Sequence, residues 1–329
     1  MRVDHLCLFQ NVQVPLPTRC HSAVSQDYIM LSIRKATSAD FDEVYSSLLV
    51  QFKNPYLTRE DYQGLFRRQW ESAEDWHGFV LVDNSTIVGF LGLVHSTRLI
   101  RGTERRFCNL SHWIVKTEFR GARKNVDAIP PGLLLILEAM TLPECTLTSF
   151  TPTKAVTPIY ERLLWTELDH RCHVILALPY LGVPRSRGRL IYSRNEISAR
   201  LRGEERKIFR DHEQYKCGHI YIEDGGSGCY VVFTRVMRKR LPFVLVHYIG
   251  NVPIFMRNIG RIRYGLCLRQ RAIGLLVDER FLRGGRIFGS FIYEGEKRFF
   301  RTTGALDSAN GITRDDVDSL YSEYIVVNV

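Results

Sequence analysis

The sequence has no long apolar run. No stretch of about 18 apolar residues occurs in the chain, so no membrane-spanning helix is predicted. Its eight cysteines include no C-x-x-C pair, which argues against a zinc site and favours reduced thiols over a disulfide framework. Residues 1–29 lack the uninterrupted apolar core of a signal peptide and are predicted to be an irregular extension, with Met30 as an alternative start. We therefore expect a cytoplasmic protein without an integral membrane segment or a metal site.

The charge of the chain is unevenly distributed. Residues 1–169 carry 18 Lys and Arg against 19 Asp and Glu, whereas residues 170–329 carry 27 against 16. A basic half of this kind either attracts anionic partners, such as nucleotide-linked sugars or acidic glycans, or serves as a solubilising surface. Nucleic acid is not favoured, because the basic half has no zinc spacing, no helix-turn-helix signal and no aromatics interleaved on a clear sheet face.

The 329 residues are enough for two domains, each with its own core. In residues 30–180 the apolar patterns predict the order strand, two helices, hairpin, strand, helix, strand, helix, strand. The predicted strands are 31–35, 78–82, 87–94, 107–115, 146–150 and 172–177, and the predicted helices begin near residues 38, 58, 130 and 153.

The strand predicted at 107–115 ends in a short polar turn. This turn delivers Arg120, Gly121 and Ala122 where the strand gives way to a helix, and Arg123 and Lys124 add two further cations. Exposed backbone N–H groups beside cationic side chains bind phosphate groups. The turn is therefore a candidate anion-binding loop, with a solvated basic loop as the alternative.

Residues 30–179 resemble the GNAT acyltransferases, in which a loop after the fourth strand reads Arg/Gln-x-x-Gly-x-Gly/Ala and holds the pyrophosphate of acyl-CoA. Here the matching loop is 120–125, with Gly121 retained and with Arg123 and Asn125 at the glycine positions. The resemblance implies that acetyl-CoA or another acyl-CoA is the co-substrate. The cofactor-binding residues that it implies are Ile114, Val115, Arg120, Gly121, Ala122, Arg123, Lys124 and Asn125.

A second similarity to GNAT proteins lies in residues 159–165, where Tyr160 matches a tyrosine that sits near the CoA sulfur. The resemblance implies that Tyr160 protonates the departing thiolate, as a general acid would; a core tyrosine is the alternative. His112, on the central strand, is the predicted base because its unperturbed pKa suits neutral pH. His95 and Glu118 are less favoured, and a structural role remains open for each histidine.

The second half repeats the pattern of the first after a Pro-, Gly- and Arg-rich linker at 181–191. Residues 192–329 predict a charged helix pair or one long helix at 196–217, a hairpin around 224–228, strands at 243–249 and 273–277, and a late helix at 308–323. The glycines of the hairpin are assigned to its turn rather than to a phosphate loop. This half resembles a degenerate second GNAT-like domain.

The sequence therefore predicts an α/β fold of two tandem GNAT-like units, each a mixed central sheet flanked by helices. The resemblance extends to two-domain GNAT-like proteins of bacterial surface-polysaccharide gene clusters. It implies an acyltransferase that acts on a small-molecule amine or hydroxyl acceptor, such as a sugar, and leaves a homodimer open. The alternative is a GNAT-fold pseudoenzyme that serves as a binding or scaffold module.

Overall fold

A computed structural model describes residues 31–52, 54–70, 72–120, 129–168, 171–177, 188–282, 284–304 and 311–327. Within these ranges the chain forms two seven-stranded sheets. The strands are β1 Leu31–Lys35, β2 Gly78–Asp83, β3 Thr86–Ile100, β4 Thr103–Val115, β5 Cys145–Ser149, β6 Thr166–Leu168, β7 Arg171–Leu176, β8 Arg189–Ile191, β9 Gly218–Asp224, β10 Ser227–Arg238, β11 Leu241–Ile249, β12 Gly274–Asp278, β13 Ser290–Glu294 and β14 Arg298–Thr302. The α-helices are α1 Phe41–Ser47, α2 Arg59–Gln63, α3 Pro131–Met140, α4 Thr157–Arg162, α5 Arg194–Arg200, α6 Gly203–His212, α7 Val252–Arg257, α8 Ile259–Gln270 and α9 Glu323–Val326.

The first sheet has the order β1-β2-β3-β4-β5-β14-β6, with β4 at its centre as predicted. Its strands pair antiparallel except for β4 and β5, which run parallel. The connection between them contains α3 and carries the chain back to the end of the sheet at which β4 begins. The predicted α/β class and the mixed sheet flanked by helices are confirmed.

The second sheet has the order β8-β9-β10-β11-β12-β7-β13, and again one of its central pairs, β11 and β12, is parallel. The predicted hairpin is β9 and β10, whose turn consists of Gly225 and Gly226 between the paired residues Asp224 and Ser227. Both glycines have positive φ, +61° and +80°, which this two-residue turn requires. The predicted helix pair is α5 and α6.

The two sheets exchange strands. Strand β7 was predicted as the last strand of the first unit, but it pairs with β12 and β13 in the second sheet, so that assignment is wrong. In return β14, from the second half, pairs with β5 and β6 in the first sheet. An apolar pattern marks a strand but not its partner, and these partners are distant in sequence. The domain limits at 180 and 192 stay predictions.

The late helix predicted at 308–323 is also wrong for its described part. From residue 311 the chain makes one 3-10 turn at Arg314–Asp316, closed by a capping box with Thr313, and α9 begins only at Glu323. This C-terminal segment, residues 311–327, is stabilised by contacts with both sheets rather than by its own helical bonds. The Ser319 hydroxyl pairs with His247 of β11, and the Glu323 backbone N–H donates to Asn109 of β4.

The C-terminal segment belongs to a core that joins the two halves. Leu320, Ile325, Val326 and Val327 pack there with α1 and α2, with α5 and α6, and with one face of each sheet. The opposite face of the first sheet packs against α3 and α4, and that of the second against α7 and α8. The two units therefore share one buried layer.

Candidate active site

Strands β4 and β5 separate near the centre of the first sheet. Their parallel pairing covers only residues 106–109 of β4, although β4 continues to Val115. On its other side β4 carries a bulge, because Phe90 pairs with Ile114 but Gly92 pairs with Ser111. His112 occupies the bulge with a φ of +48°, and such a bulge bends the strand away from its neighbour. The end of β4 thus presents backbone groups that β5 does not cover.

The hydrogen-bond pattern between β3 and β4 shows which way the backbone N–H groups of Ile114 and Val115 point; both were predicted to hold acyl-CoA. Ile114 pairs with Phe90, and the N–H of Lys116, two residues on, donates to Val88 O at 2.8 Å. Alternate residues of a strand direct their N–H groups to opposite sides, so the N–H of Ile114 faces β3. The N–H and C=O of Val115 therefore face the side of β5.

Arg120 lies at this same edge. After a 3-10 turn at Thr117–Phe119, its Nε donates to the carbonyl oxygen of Val115 at 2.6 Å. Its side chain also reaches Gln51, and the residue is exposed. The remaining loop residues of the prediction, Gly121, Ala122, Arg123, Lys124 and Asn125, lie outside the described residues.

The structure places Tyr160 on α4, 2% exposed and among aromatic rings. Its ring centroid lies 4.6 Å from that of Trp165, 5.2 Å from that of Phe299 and 6.3 Å from that of Trp113. Burial raises the pKa of the phenol, an interaction with the Ser149 hydroxyl opposes the rise, and the charge of Glu323 adds to it. Tyr160 is therefore protonated at neutral pH, in a position that also serves the core.

His112 is only partly exposed, and its ring meets Phe52 and Tyr62 edge-on. The imidazole Nδ1 is hydrogen-bonded to the Ser111 hydroxyl. Burial lowers the pKa of His112 to about 4, because loss of hydration penalises the charged imidazolium. The imidazole is thus neutral at pH 7 but a weak proton acceptor.

Sequence reasoning missed a carboxyl group at this site. Glu323 of α9 is 1% exposed, and its Oε1 accepts a hydrogen bond from the Thr151 hydroxyl at 2.6 Å. Burial raises its pKa to about 8, and interactions with the hydroxyls of Thr151 and Ser111 oppose the rise. No local pattern could reveal it, because Asn109, which accepts from the Glu323 N–H, lies more than 200 residues earlier in the chain.

The less favoured bases lie elsewhere. His95, on β3, is buried with its ring 4.4 Å from that of Trp76, and its Nδ1 contacts the thiol of Cys108. Burial lowers the pKa of His95 to about 4. Glu118 is exposed in the turn after β4.

Among the described residues, no group of three or more His, Cys, Asp or Glu side chains is placed to hold a metal ion. Within the same ranges, every helix is too short or too polar to cross a membrane.

The fold of this chain also occurs in known structures. No protein-family model matches the sequence, and no curated protein is similar to it. Several solved structures do match in fold. A GCN5-related N-acetyltransferase from Anabaena variabilis superimposes with a TM-score of 0.54 at 12% identity, over 83% of this chain and 72% of that one.

Two further structures agree. A GCN5-related N-acetyltransferase from Kribbella flavida matches with a TM-score of 0.51 at 17% identity, over 83% of this chain and 71% of that one. A GCN5-related glucosamine N-acetyltransferase region of a fungal multi-domain β-N-acetylglucosaminidase matches with a TM-score of 0.54 at 13% identity, over 84% of this chain and 38% of that one. This chain therefore has the fold of the GCN5-related N-acetyltransferases, built from two sheets.

Proposed function

We propose that the protein is an acyltransferase that moves an acetyl or other acyl group from acyl-CoA to an amine or hydroxyl acceptor. One observation carries this proposal: in a chain with the GNAT fold, the parallel pairing of β4 with β5 stops at Asn109, next to the bulge at His112. The uncovered edge of β4 then offers a row of backbone groups to an extended ligand, and the pantetheine arm of acyl-CoA is such a ligand.

In this proposal the Val115 N–H donates to the bound acyl-CoA at that edge, while Arg120 approaches the diphosphate. The loop residues Gly121, Ala122, Arg123, Lys124 and Asn125 complete the diphosphate site, as their composition predicts. The Ile114 N–H does not take part, because it faces β3, and the Ile114 side chain is buried in the core shared by the two halves.

The reaction that suits this site is direct transfer. The acceptor attacks the thioester carbonyl carbon, a tetrahedral oxyanion forms, and the thiolate leaves. Proximity and a backbone donor drive such a step more than a protein nucleophile does. Tyr160 is the proposed general acid, because a phenol held neutral by burial can give its proton to the basic thiolate.

We propose an amino sugar as the acceptor, and thus N-acylation, with a role in cytoplasmic steps of polysaccharide synthesis. The neighbour described as a glucosamine N-acetyltransferase region supports this choice. The basic second half supports it too, since 27 Lys and Arg against 16 Asp and Glu favour a phosphate-bearing sugar over an uncharged one.

The test is thiol release from acetyl-CoA by the full chain, with glucosamine, phosphorylated and nucleotide-linked amino sugars, polyamines and neutral sugars as acceptors. We expect release that requires one class of acceptor and a matching acetylated product by mass. Binding of acetyl-CoA without transfer to any acceptor would contradict the enzyme and support the scaffold alternative.

A further inference from the structure

The C-terminal segment brings a carboxyl group to the place where the pairing of β4 with β5 ends, at Asn109. The Glu323 backbone N–H donates to Asn109 Oδ1 at 2.9 Å, and the neighbouring Tyr324 hydroxyl donates to the carbonyl oxygen of Phe150 at 3.3 Å. Asn109 itself reaches across to Thr148 of β5. Both strands therefore hold α9, and they fix where the Glu323 carboxyl lies.

That carboxyl is poorly satisfied for a buried group. Oε1 accepts from Thr151, Oε2 has no hydrogen-bond partner among the described residues, and the Ser111 hydroxyl is the further polar group that interacts with the carboxyl. Within those residues no ion pair involves Glu323 either. An unpaired buried carboxyl costs free energy, and few hydrogen bonds stabilise its ionised form, which makes it a stronger proton acceptor than an exposed carboxylate.

The Thr151 hydroxyl connects the buried Glu323 carboxyl with the protein surface. Thr151 is exposed, lies two residues beyond the end of β5, and donates to Oε1 at 2.6 Å. A proton that arrives at Thr151 Oγ1 can therefore pass to Glu323 in one concerted shift, while Thr151 gives up its own hydroxyl proton.

We propose that Thr151 and Glu323 form a proton-accepting pair that takes the proton of the attacking amine or hydroxyl. This inference rests on the proposed acyltransferase function. The acceptor forms its bond to the acyl carbon and loses a proton to Thr151 Oγ1, whose own proton moves to Glu323. The bond from carbon to sulfur breaks, and the thiolate takes the Tyr160 proton. Return of a proton from Glu323 to the Tyr160 phenolate restores both groups.

His112 is less suited to this role than the Thr151–Glu323 pair. Its Nδ1 is occupied by Ser111, and its ring faces Phe52 and Tyr62. Among the described residues, the titratable groups that interact with Glu323 are Tyr160 on α4 and Tyr324 on α9, and His112 is connected to it through Ser111 on β4. The pKa values of both tyrosines are raised, so neither ionises below pH 10. The Glu323 carboxyl is therefore the group of this cluster that we expect to titrate between pH 7 and pH 10.

The test compares steady-state kinetics of the full chain and its variants, with acetyl-CoA and the acceptor that the wild type acetylates, glucosamine being tried first. We expect Glu323→Gln to lower kcat by about 10²-fold or more, with the KM for acetyl-CoA unchanged. The rise of kcat toward pH 8 should disappear. Thr151→Val should lower kcat by a similar factor, whereas Thr151→Ser, which keeps the hydroxyl, should retain the wild-type kcat. The double variant Thr151→Val/Glu323→Gln should have a kcat no lower than that of Glu323→Gln alone.

Glu104→Gln, the same change at an exposed carboxylate of β4, is the matched control and should leave kcat unchanged. Melting curves establish that each variant is folded. A Glu323→Gln variant with the same kcat and the same pH profile as the wild type would overturn this inference but not the proposed acyltransferase function. Equal loss in Thr151→Ser and Thr151→Val would overturn the relay. No wild-type turnover with any acceptor would overturn the inference and the proposed function together.

Discussion

At the residue scale, burial divides the ionisable groups of the site into distinct roles. It keeps the Tyr160 phenol protonated and His112 uncharged, and it raises the pKa of Glu323 to about 8. Groups whose environments push their pKa values apart are the usual basis of acid and base assignments in enzymes. Tyr160 is the acid in this assignment, and the Thr151–Glu323 pair is the base.

Tyr160→Phe removes the hydroxyl but keeps the ring that packs against Trp165 and Phe299. We expect kcat to fall by about 10²-fold, because the thiolate loses its proton donor, while the protein melts at a similar temperature. Tyr264→Phe removes an exposed hydroxyl from α8, away from the site, and is the control that should leave kcat unchanged. Equal kcat in Tyr160→Phe and the wild type would limit Tyr160 to a packing role.

Glu323 should also make stability depend on pH. Because its pKa is raised in the folded state, folding retains a proton that the unfolded chain releases, so stability falls as pH rises from about 4.5 to 8. Glu323→Gln lacks this penalty. We expect its advantage over the wild type to grow across that window, to at most roughly 5 kcal/mol, and to stay constant above pH 8. Urea unfolding of both proteins at pH 5, 7 and 9 measures this difference in the free energy of unfolding. The same difference at every pH would show that the pKa of Glu323 is not raised in the folded state.

At the element scale, the bulge in β4 separates that strand from β5. It requires His112 to adopt left-handed backbone geometry, which asparagine tolerates and β-branched residues resist. The backbone of His112, rather than its imidazole, is therefore its main contribution in this interpretation.

His112→Asn and His112→Val distinguish the two contributions. Asparagine should preserve the bulge and most of kcat, although it removes the imidazole. Valine should cost about 1–2 kcal/mol of stability and weaken acyl-CoA binding, because it strains the left-handed position. Unfolding and kinetic assays of both variants provide the measurement. A loss of kcat in His112→Asn comparable to that in Glu323→Gln would return the base role to the imidazole.

The elements also show how far the sequence could predict this protein. The strands of the first sheet up to β5, their order along the chain, and the hairpin at Gly225 follow from local apolar patterns and turn residues, and that order matches the GNAT arrangement. The exchange of β7 and β14 could not be predicted, because pairing depends on surfaces that meet only in three dimensions. Glu323 was missed for the same reason, since its neighbours come from β4 and from the residues after β5.

At the scale of the whole molecule, strand exchange and the C-terminal segment join the two halves. Asp278, at the end of β12 in the second sheet, pairs at 2.7 Å with Arg298 of β14 in the first sheet and at 3.0 Å with Arg280. Arg280 also donates to the carbonyl oxygen of Val317 in the C-terminal segment. These contacts make each sheet depend on the other.

We therefore expect the full chain to unfold in one cooperative calorimetric transition. A chain that ends after residue 180 loses β14 and the C-terminal segment, and thus part of the shared core, so it should show no cooperative unfolding of its own. Scanning calorimetry of both chains tests this. Two separate transitions in the full chain, one of them reproduced by residues 30–180, would instead mean that the halves are independent domains.

Calorimetric titration of the full chain with acetyl-CoA tests whether this fold binds acyl-CoA at the end of β4. Gly121→Glu adds a carboxylate to the predicted diphosphate loop, and Glu104→Gln changes an exposed carboxylate at the opposite end of β4. We expect micromolar binding by the wild type and Glu104→Gln, and a loss of at least about tenfold in Gly121→Glu through charge repulsion. No heat with acetyl-CoA or with longer acyl-CoAs would contradict the acyltransferase.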